Sequence, residues 1–134
     1  MGEAVFHLHL TGGSMRPLLR SGQVAAVRKG REGLRPGDVV LYRVEGEARI
    51  HRLGFLGRRY GWIFDDTADV GWHRVQTDCI EGRVLHPSPL SRGLAGLVYA
   101  LGAYVFFKSA RAVKGVTKVL LRAVAGPLNL SSGI

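Results

Sequence analysis

Apolar and polar positions alternate along most of the first 85 residues, in short stretches separated by Gly and Pro. Alternation with a period of two, broken by turn residues at short intervals, is typical of antiparallel strands. The turn at residues 45–47 predicts a hairpin between the strands on either side of it. The predicted strands cover residues 5–10, 23–28, 39–44, 48–53, 55–58, 60–64 and 81–85, with one helical turn at 15–19. We therefore expect a mainly β fold.

The pattern changes in the last third of the chain. Residues 94–107 form an uncharged run of 14, shorter than the ~20 residues of a spanning helix. After it, basic residues recur every three or four positions and predict a basic amphipathic helix. A core helix, a membrane-interface element and a docking helix all remain open for this segment. An anionic membrane surface, contacted through residues 94–126, is one expected partner.

Composition limits the classes of protein that fit. A chain of 134 residues with 46% hydrophobic content is expected to build one core. We expect a β domain over residues 1–87 and a basic, apolar helical extension over 88–134. The net charge of +9 comes without a recognisable nucleic-acid-binding motif, so no specific nucleic acid is expected. The single cysteine, Cys79, excludes an intramolecular disulfide.

No pattern in the sequence indicates a metal or another cofactor. The five histidines do not form a Cys/His ligand cluster, and His7 and His9 are interpreted as ordinary residues on one face of the first strand. We expect neither a metal site nor a cofactor.

One segment carries candidate chemistry. Ser14 follows Gly12 and Gly13 and precedes an X-Pro turn, so it can be presented on a sharp bend. A serine needs a general base to become a nucleophile. His51, on a predicted strand 37 residues further on, is a candidate for that base, provided that the fold brings the two together.

These segments, in this order, resemble the signal peptidase family of membrane-associated serine endopeptidases and the wider clan that includes LexA-type repressors. The matching motifs are Gly13-Ser14-Met15-Arg16-Pro17, Gly37-Asp38-Val39-Val40 and Ile50-His51-Arg52. The resemblance implies the family's catalytic β fold, with a C-terminal helical extension here. Since no lysine lies between Lys29 and Lys108, the chain is similar to the Ser-His type found in endoplasmic-reticulum and archaeal members.

The resemblance also assigns roles to residues of the site. It implies Ser14 as nucleophile, His51 as base and Asp66 as the acid that orients His51, with Asp69 and Asp78 as alternatives. The turn Gly12-Gly13-Ser14 would bind the oxyanion, and Asp38 would hold a structural turn. Asp65 stands where the family has Gly, and Gly12 stands where many members have a hydroxyl residue.

The function that follows is a serine endopeptidase acting on a precursor or signal-bearing peptide through an acyl-enzyme. The alternative is a catalytically weak pseudo-peptidase that binds a peptide or a membrane partner. The first ten residues have neither the charge nor the length of a signal peptide. We expect either a peripheral membrane or a cytoplasmic location.

Overall fold

The computed structural model describes residues 4–11, 15 and 18–132, with side chains described up to residue 123. The predictions for Gly12, Gly13 and Ser14 lie outside the described residues. The described chain forms seven strands followed by a long helix. The strands are β1 (Val5–His9), β2 (Val24–Lys29), β3 (Val39–Val44), β4 (Glu47–Leu56), β5 (Tyr60–Phe64), β6 (His73–Gln76) and β7 (Ile80–Leu85), and the helix is α1 (Gly93–Ser132).

All seven strands belong to one antiparallel sheet in the order β1-β2-β7-β3-β4-β5-β6. The sheet and the C-terminal helix confirm the mainly β fold expected from the sequence. Short 3₁₀ turns at Thr77–Cys79 and Pro89–Ser91 flank β7.

Strand β3 is buried on both faces and separates two hydrophobic clusters. Val39 and Leu41 pack into one cluster, and Val40 and Tyr42 pack into the other. This division follows from the alternation of side chains along a strand. Because β3 also pairs with β4 over six residues, it gives β4 a rigid support.

Two details of the sheet differ from the sequence prediction. Residues 48–53 and 55–58 were expected to form separate strands, but β4 runs through Leu56 with an irregularity between Leu53 and Phe55. Gly54 lies within this irregularity, and the close approach of the Trp72 ring, 2.3 Å from where a Cβ would be, requires glycine there. Strand β6 was not predicted, because only Val75 of its four residues is buried and the alternation is too short to detect.

The C-terminal segment is one continuous helix of 40 residues rather than an apolar helix followed by a basic one. Its first turn lies against the turn before β3: the Asp38 carboxylate accepts from the Gly93 N–H at 2.8 Å. A Cβ at Gly37 would lie 1.8 Å from the Gly93 carbonyl oxygen, and φ at Gly37 is +98°. Glycine is therefore required at this contact.

Beyond its first turns α1 is mostly exposed. By length and composition alone, Gly93–Ala123 meets the requirements of a membrane-spanning helix, with a mean hydropathy of 1.3 and only 17% of its 18-residue apolar window buried. From the sequence, residues 94–107 were expected to be too short to span a membrane, because only the uncharged run was counted. The helix in fact continues without a break through the basic residues that follow.

Two glycines of α1 allow a matched test of its docking. In a Gly96→Ala variant the new Cβ would lie 2.6 Å from the Gly37 carbonyl oxygen and 3.0 Å from that of Leu90, so backbone must shift. We expect a loss of about 1–3 kcal/mol in the free energy of unfolding. Gly102→Ala meets no heavy atom within 4 Å and should gain about 0.5–1 kcal/mol from helix propensity. Chemical denaturation measures both, and equal effects at the two positions would contradict the docking contact.

Candidate active site

His51 lies in the wall of a cleft of about 390 Å³. One side of the cleft comes from the end of β1 and from Thr11, Met15 and Leu19, and the other comes from residues 47–51 of β4. Only 5% of His51 is exposed. A rigid strand thus presents an imidazole to a cleft of the size that a short peptide segment fills.

Three side chains form a hydrogen-bonded series that includes His51. The Tyr42 hydroxyl lies 2.6 Å from His51 Nδ1 and 2.8 Å from His73 Nε2. His73 Nδ1 lies 3.0 Å from the Gly71 carbonyl oxygen. Strand register explains the first contact: Tyr42 pairs with Arg49, two positions before His51 on the same face of β4.

The chemistry of these groups determines where the protons lie. A carbonyl oxygen only accepts, so His73 Nδ1 carries a hydrogen and, in neutral His73, Nε2 accepts the Tyr42 O–H. The Tyr42 oxygen then accepts from His51 Nδ1–H. This tautomer puts the lone pair of His51 on Nε2, which is the position that a general base uses in serine hydrolases.

Burial changes the pKa values of His51 and Tyr42. Desolvation lowers the pKa of His51 to about 4; Asp65 acts in the opposite direction, and His73 and Arg49 add to the lowering. Desolvation raises the pKa of Tyr42 to about 12. At neutral pH, therefore, His51 is an unprotonated imidazole and Tyr42 keeps its proton.

Asp65 holds the loop that ends at His73. Its buried carboxylate accepts from the N–H groups of Asp69, Val70 and Gly71 at 2.6–3.1 Å, and from the Thr67 hydroxyl at 2.9 Å. The Gly71 carbonyl that binds His73 belongs to this loop. Asp65 is thus a structural residue that indirectly sets the orientation of His73.

Asp66 binds Arg52, which corrects the expectation that it orients His51. Its two carboxylate oxygens accept from Arg52 Nε at 3.1 Å and from Arg52 Nη2 at 2.6 Å, and both side chains are fully buried. Burial raises the pKa of Asp66 above its ordinary value, while Arg52 acts in the opposite direction. The Nδ1 atom that an orienting acid would bind is bonded by Tyr42 instead.

The other predicted acids have different surroundings. Asp69 is half exposed and pairs with Arg111 of α1. Asp78 is 92% exposed and lies 3.7 Å from Arg31. Asp38 is fully buried and accepts from the Arg35 N–H and the Gly93 N–H, which ties the turn before β3 to the start of α1.

Sequence reasoning missed Tyr42, His73, Arg52 and Asp65. Tyr42 and His73 are 31 residues apart, and no local pattern connects them. The sequence does contain a signal for Arg52, because a charged residue inside an apolar strand needs a buried partner of opposite charge. Among the described residues, no group of three or more His, Cys, Asp or Glu side chains is arranged to hold a metal ion.

Removing the charge of Asp66 should destabilise the fold. Asp66→Asn leaves the buried Arg52 guanidinium without a counterion, for which we expect a loss of about 3–5 kcal/mol in the free energy of unfolding. Asp69→Asn, at an exposed ion pair, is the matched control and should lose far less. Equal losses in chemical denaturation would contradict the structural role of the Arg52–Asp66 pair.

The lowered pKa of His51 also predicts a dependence of stability on pH. Between about pH 6.5 and pH 4 the unfolded chain binds a proton at this residue and the folded chain does not, so acidification favours unfolding. From about pH 7 to pH 5 the free energy of unfolding should fall by about 2 kcal/mol on account of His51. His51→Gln does not titrate, and denaturation curves of this variant should lack that part of the decrease. The same decrease in both proteins would contradict the assignment.

The comparisons with known proteins identify a family for the first part of the chain. A family model described as Peptidase S24-like matches residues 1–61 of the 134, a range that contains Ser14, Tyr42 and His51 and ends before Asp66. No match was found among curated proteins. The family match supports the resemblance to the LexA and signal peptidase clan and does not separate the Ser-His type from the others. The first 61 residues of this chain are therefore similar to Peptidase S24-like domains, which suggests a peptidase-like function.

Proposed function

We propose that this protein is a serine endopeptidase in which Ser14 is the nucleophile and His51 the general base. One observation carries the proposal: His51, with its lone pair on Nε2, lies in the wall of a cleft that Thr11 and Met15 also line. Thr11 and Met15 lie on either side of Ser14 in the sequence. The Peptidase S24-like match over the same residues agrees with this assignment.

The reaction is acyl transfer to water. His51 Nε2 takes the Ser14 hydroxyl proton as Oγ attacks the scissile carbonyl carbon, and then gives that proton to the leaving amine as the C–N bond breaks. In the second half a water molecule, deprotonated by the same nitrogen, attacks the acyl-enzyme and releases Ser14. Backbone N–H groups of the turn Gly12-Gly13-Ser14 would stabilise the oxyanion.

Tyr42 takes the orienting role that Asp66 was expected to have. Its hydroxyl fixes the tautomer of His51 and accepts from Nδ1–H, as an acid does in a Ser-His-Asp triad. Unlike a carboxylate, a neutral phenol does not supply a charge to stabilise the imidazolium. We therefore expect a weaker base and a slower enzyme than a triad with an acid.

The cleft suits an extended peptide. Pairing between β4 and β5 begins at Arg52, so residues 47–50 of β4 pair with β3 alone within the described sheet. β1 is the edge strand at the opposite end of the sheet order, and its last residues line the same cleft. A precursor or signal-bearing peptide could add to such a strand edge through its backbone, with the scissile bond near His51.

The second candidate is a pseudo-peptidase that binds a peptide in this cleft without cleaving it. The observation that favours it is that His51 Nδ1 lies 2.6 Å from the Tyr42 hydroxyl, which is neutral because burial raises the pKa of Tyr42 to about 12. The same strand edges would hold the peptide in either case, so only a test of covalent chemistry separates the two.

Active-site labelling provides that test. A fluorophosphonate probe should add one mass increment to the purified protein, and Ser14→Ala and His51→Ala should remove it. Tyr42→Phe keeps the ring but loses the hydroxyl, and we expect its labelling rate to fall by roughly 10²-fold. Tyr60→Phe and Ser109→Ala, at side chains away from the cleft lining, should label as the parent does.

Circular dichroism of each variant separates loss of chemistry from loss of fold. A folded parent protein that takes up no probe would favour the pseudo-peptidase. Labelling that survives Ser14→Ala would contradict the assigned nucleophile. Unchanged labelling of Tyr42→Phe would contradict the positioning role of Tyr42 while leaving the peptidase assignment intact.

A further inference from the structure

A continuous apolar row runs along the exposed side of α1. Large side chains recur at positions 94, 98, 101, 105, 116 and 119, with Ser109 and Ala112 between them, which is the spacing of one helical face. Leu94, Val98, Val105, Val116 and Val119 are each at least 60% exposed. Phe106, Val113 and Leu120 widen the row on one side and are equally exposed. At 1.5 Å per residue the row is about 40 Å long, far more apolar surface than a soluble helix usually leaves in water.

The other side of the helix carries positive charge. Lys108, Arg111, Lys114, Lys118 and Arg122 follow one another at spacings of three and four, and no Asp or Glu occurs after Pro87. Arg111, Lys114, Lys118 and Arg122 lie on the helix roughly opposite the apolar row with its widened side, and Lys108 lies at the edge of the row. An amphipathic helix with this division of charge suits the boundary of an anionic bilayer, where the apolar side enters the acyl region and the cations meet lipid phosphates.

The sheet lies on the cationic side of α1. Gly93, Gly96 and Ala100 are buried against the body of the protein, and Tyr104 contacts Trp72 and Phe64. Helical spacing places these residues in line with Arg111, Lys114 and Lys118. At the turns of α1 that pack on the sheet, the apolar row therefore faces away from the sheet.

We propose that α1 lies in the plane of an anionic membrane surface, with the row from Leu94 to Val119 inserted among the lipids. A spanning orientation fits less well, because the turns around Gly96 and Ala100 pack on the sheet and the later turns would bury five cations in hydrocarbon. A second copy of the chain fits less well too, since it would cover the apolar row but bring no anionic group from its own helix, which has no Asp or Glu after Pro87. Anionic lipid matches both the apolar row and the charge.

The helix α1 also contacts a residue next to the cleft. Arg111 of α1 pairs with Asp69, and the next residue, Val70, lines the cleft that contains His51. Val70 is itself 54% exposed. If the peptidase function holds, the substrate is a peptide presented at the membrane surface; that last step depends on the proposed function, whereas the docking itself does not.

Vesicle sedimentation of the full chain tests the docking. The protein should sediment with phosphatidylcholine vesicles that contain phosphatidylglycerol, should bind pure phosphatidylcholine far less, and should lose binding as salt is added. Val116→Lys adds a cation but removes an inserted side chain, and we expect its partition coefficient to fall by about tenfold. Thr117→Lys adds the same charge at the neighbouring exposed position, off the apolar row, and should bind at least as well as the parent.

Other outcomes would overturn the proposal. Equal binding of Val116→Lys and Thr117→Lys would show attraction by charge alone, without insertion of the row. Vesicle-bound protein that resists high salt and alkaline washing would indicate a spanning helix. A stable dimer in analytical ultracentrifugation, dissociated by Val116→Lys and accompanied by no vesicle binding, would assign the row to a second copy. None of these readouts depends on peptidase activity, so the two proposals can fail separately.

Discussion

The buried guanidinium of Arg52 is the constraint on which the rest of the structure depends. It donates to both oxygens of Asp66 and to the carbonyl oxygens of Gly37 and Leu90, at 2.6–3.1 Å. An unpaired cation at this depth would cost several kcal/mol, so the three segments that supply its acceptors must meet around β4. The turn before β3, the loop after β5 and the approach to α1 are thereby held together by one side chain.

This arrangement bears directly on the candidate base, because His51 precedes Arg52 in the same strand. Successive side chains of a strand point to opposite faces, so the contacts of Arg52 fix β4 on one face and leave His51 to the other. There it meets Tyr42 through the β3–β4 register and lines the cleft. Asp66, to which the resemblance gave a catalytic role, therefore supports the site indirectly. It fixes β4 through its ion pair with Arg52 and does not contact the His51 Nδ1 atom that Tyr42 binds.

The site combines an unprotonated base with a neutral partner. Burial lowers the pKa of His51 and raises that of Tyr42, so both are uncharged at neutral pH. In the reaction proposed above, such a pair would orient the proton transfer without stabilising the imidazolium charge that develops in it, so slow turnover is expected. A location beside a membrane would offset slow chemistry by concentrating the peptide near the cleft.

Most of the fold followed from local pattern, because period-two alternation and Gly/Pro turns are local signals. The hairpin around residues 45–47 and the strand that carries His51 were predicted on that basis and confirmed. Strand β6 was not predicted, since four residues with one buried side chain carry little signal. The continuity of α1 was not predicted either, because charged side chains on an exposed helix do not end the helix.

The sequence by itself predicted most of the antiparallel strands and the basic, apolar end of the chain, and it offered Ser14 and His51 as a candidate pair. Only the tertiary structure decided the partners: that Asp66 belongs to Arg52, that Tyr42 joins His51 to His73, and that Asp65 builds the loop behind them. The reason is physical. Strand periodicity is set by neighbours in the chain, whereas the partner of a buried polar group is whichever donor or acceptor the packed sheet brings within about 3 Å.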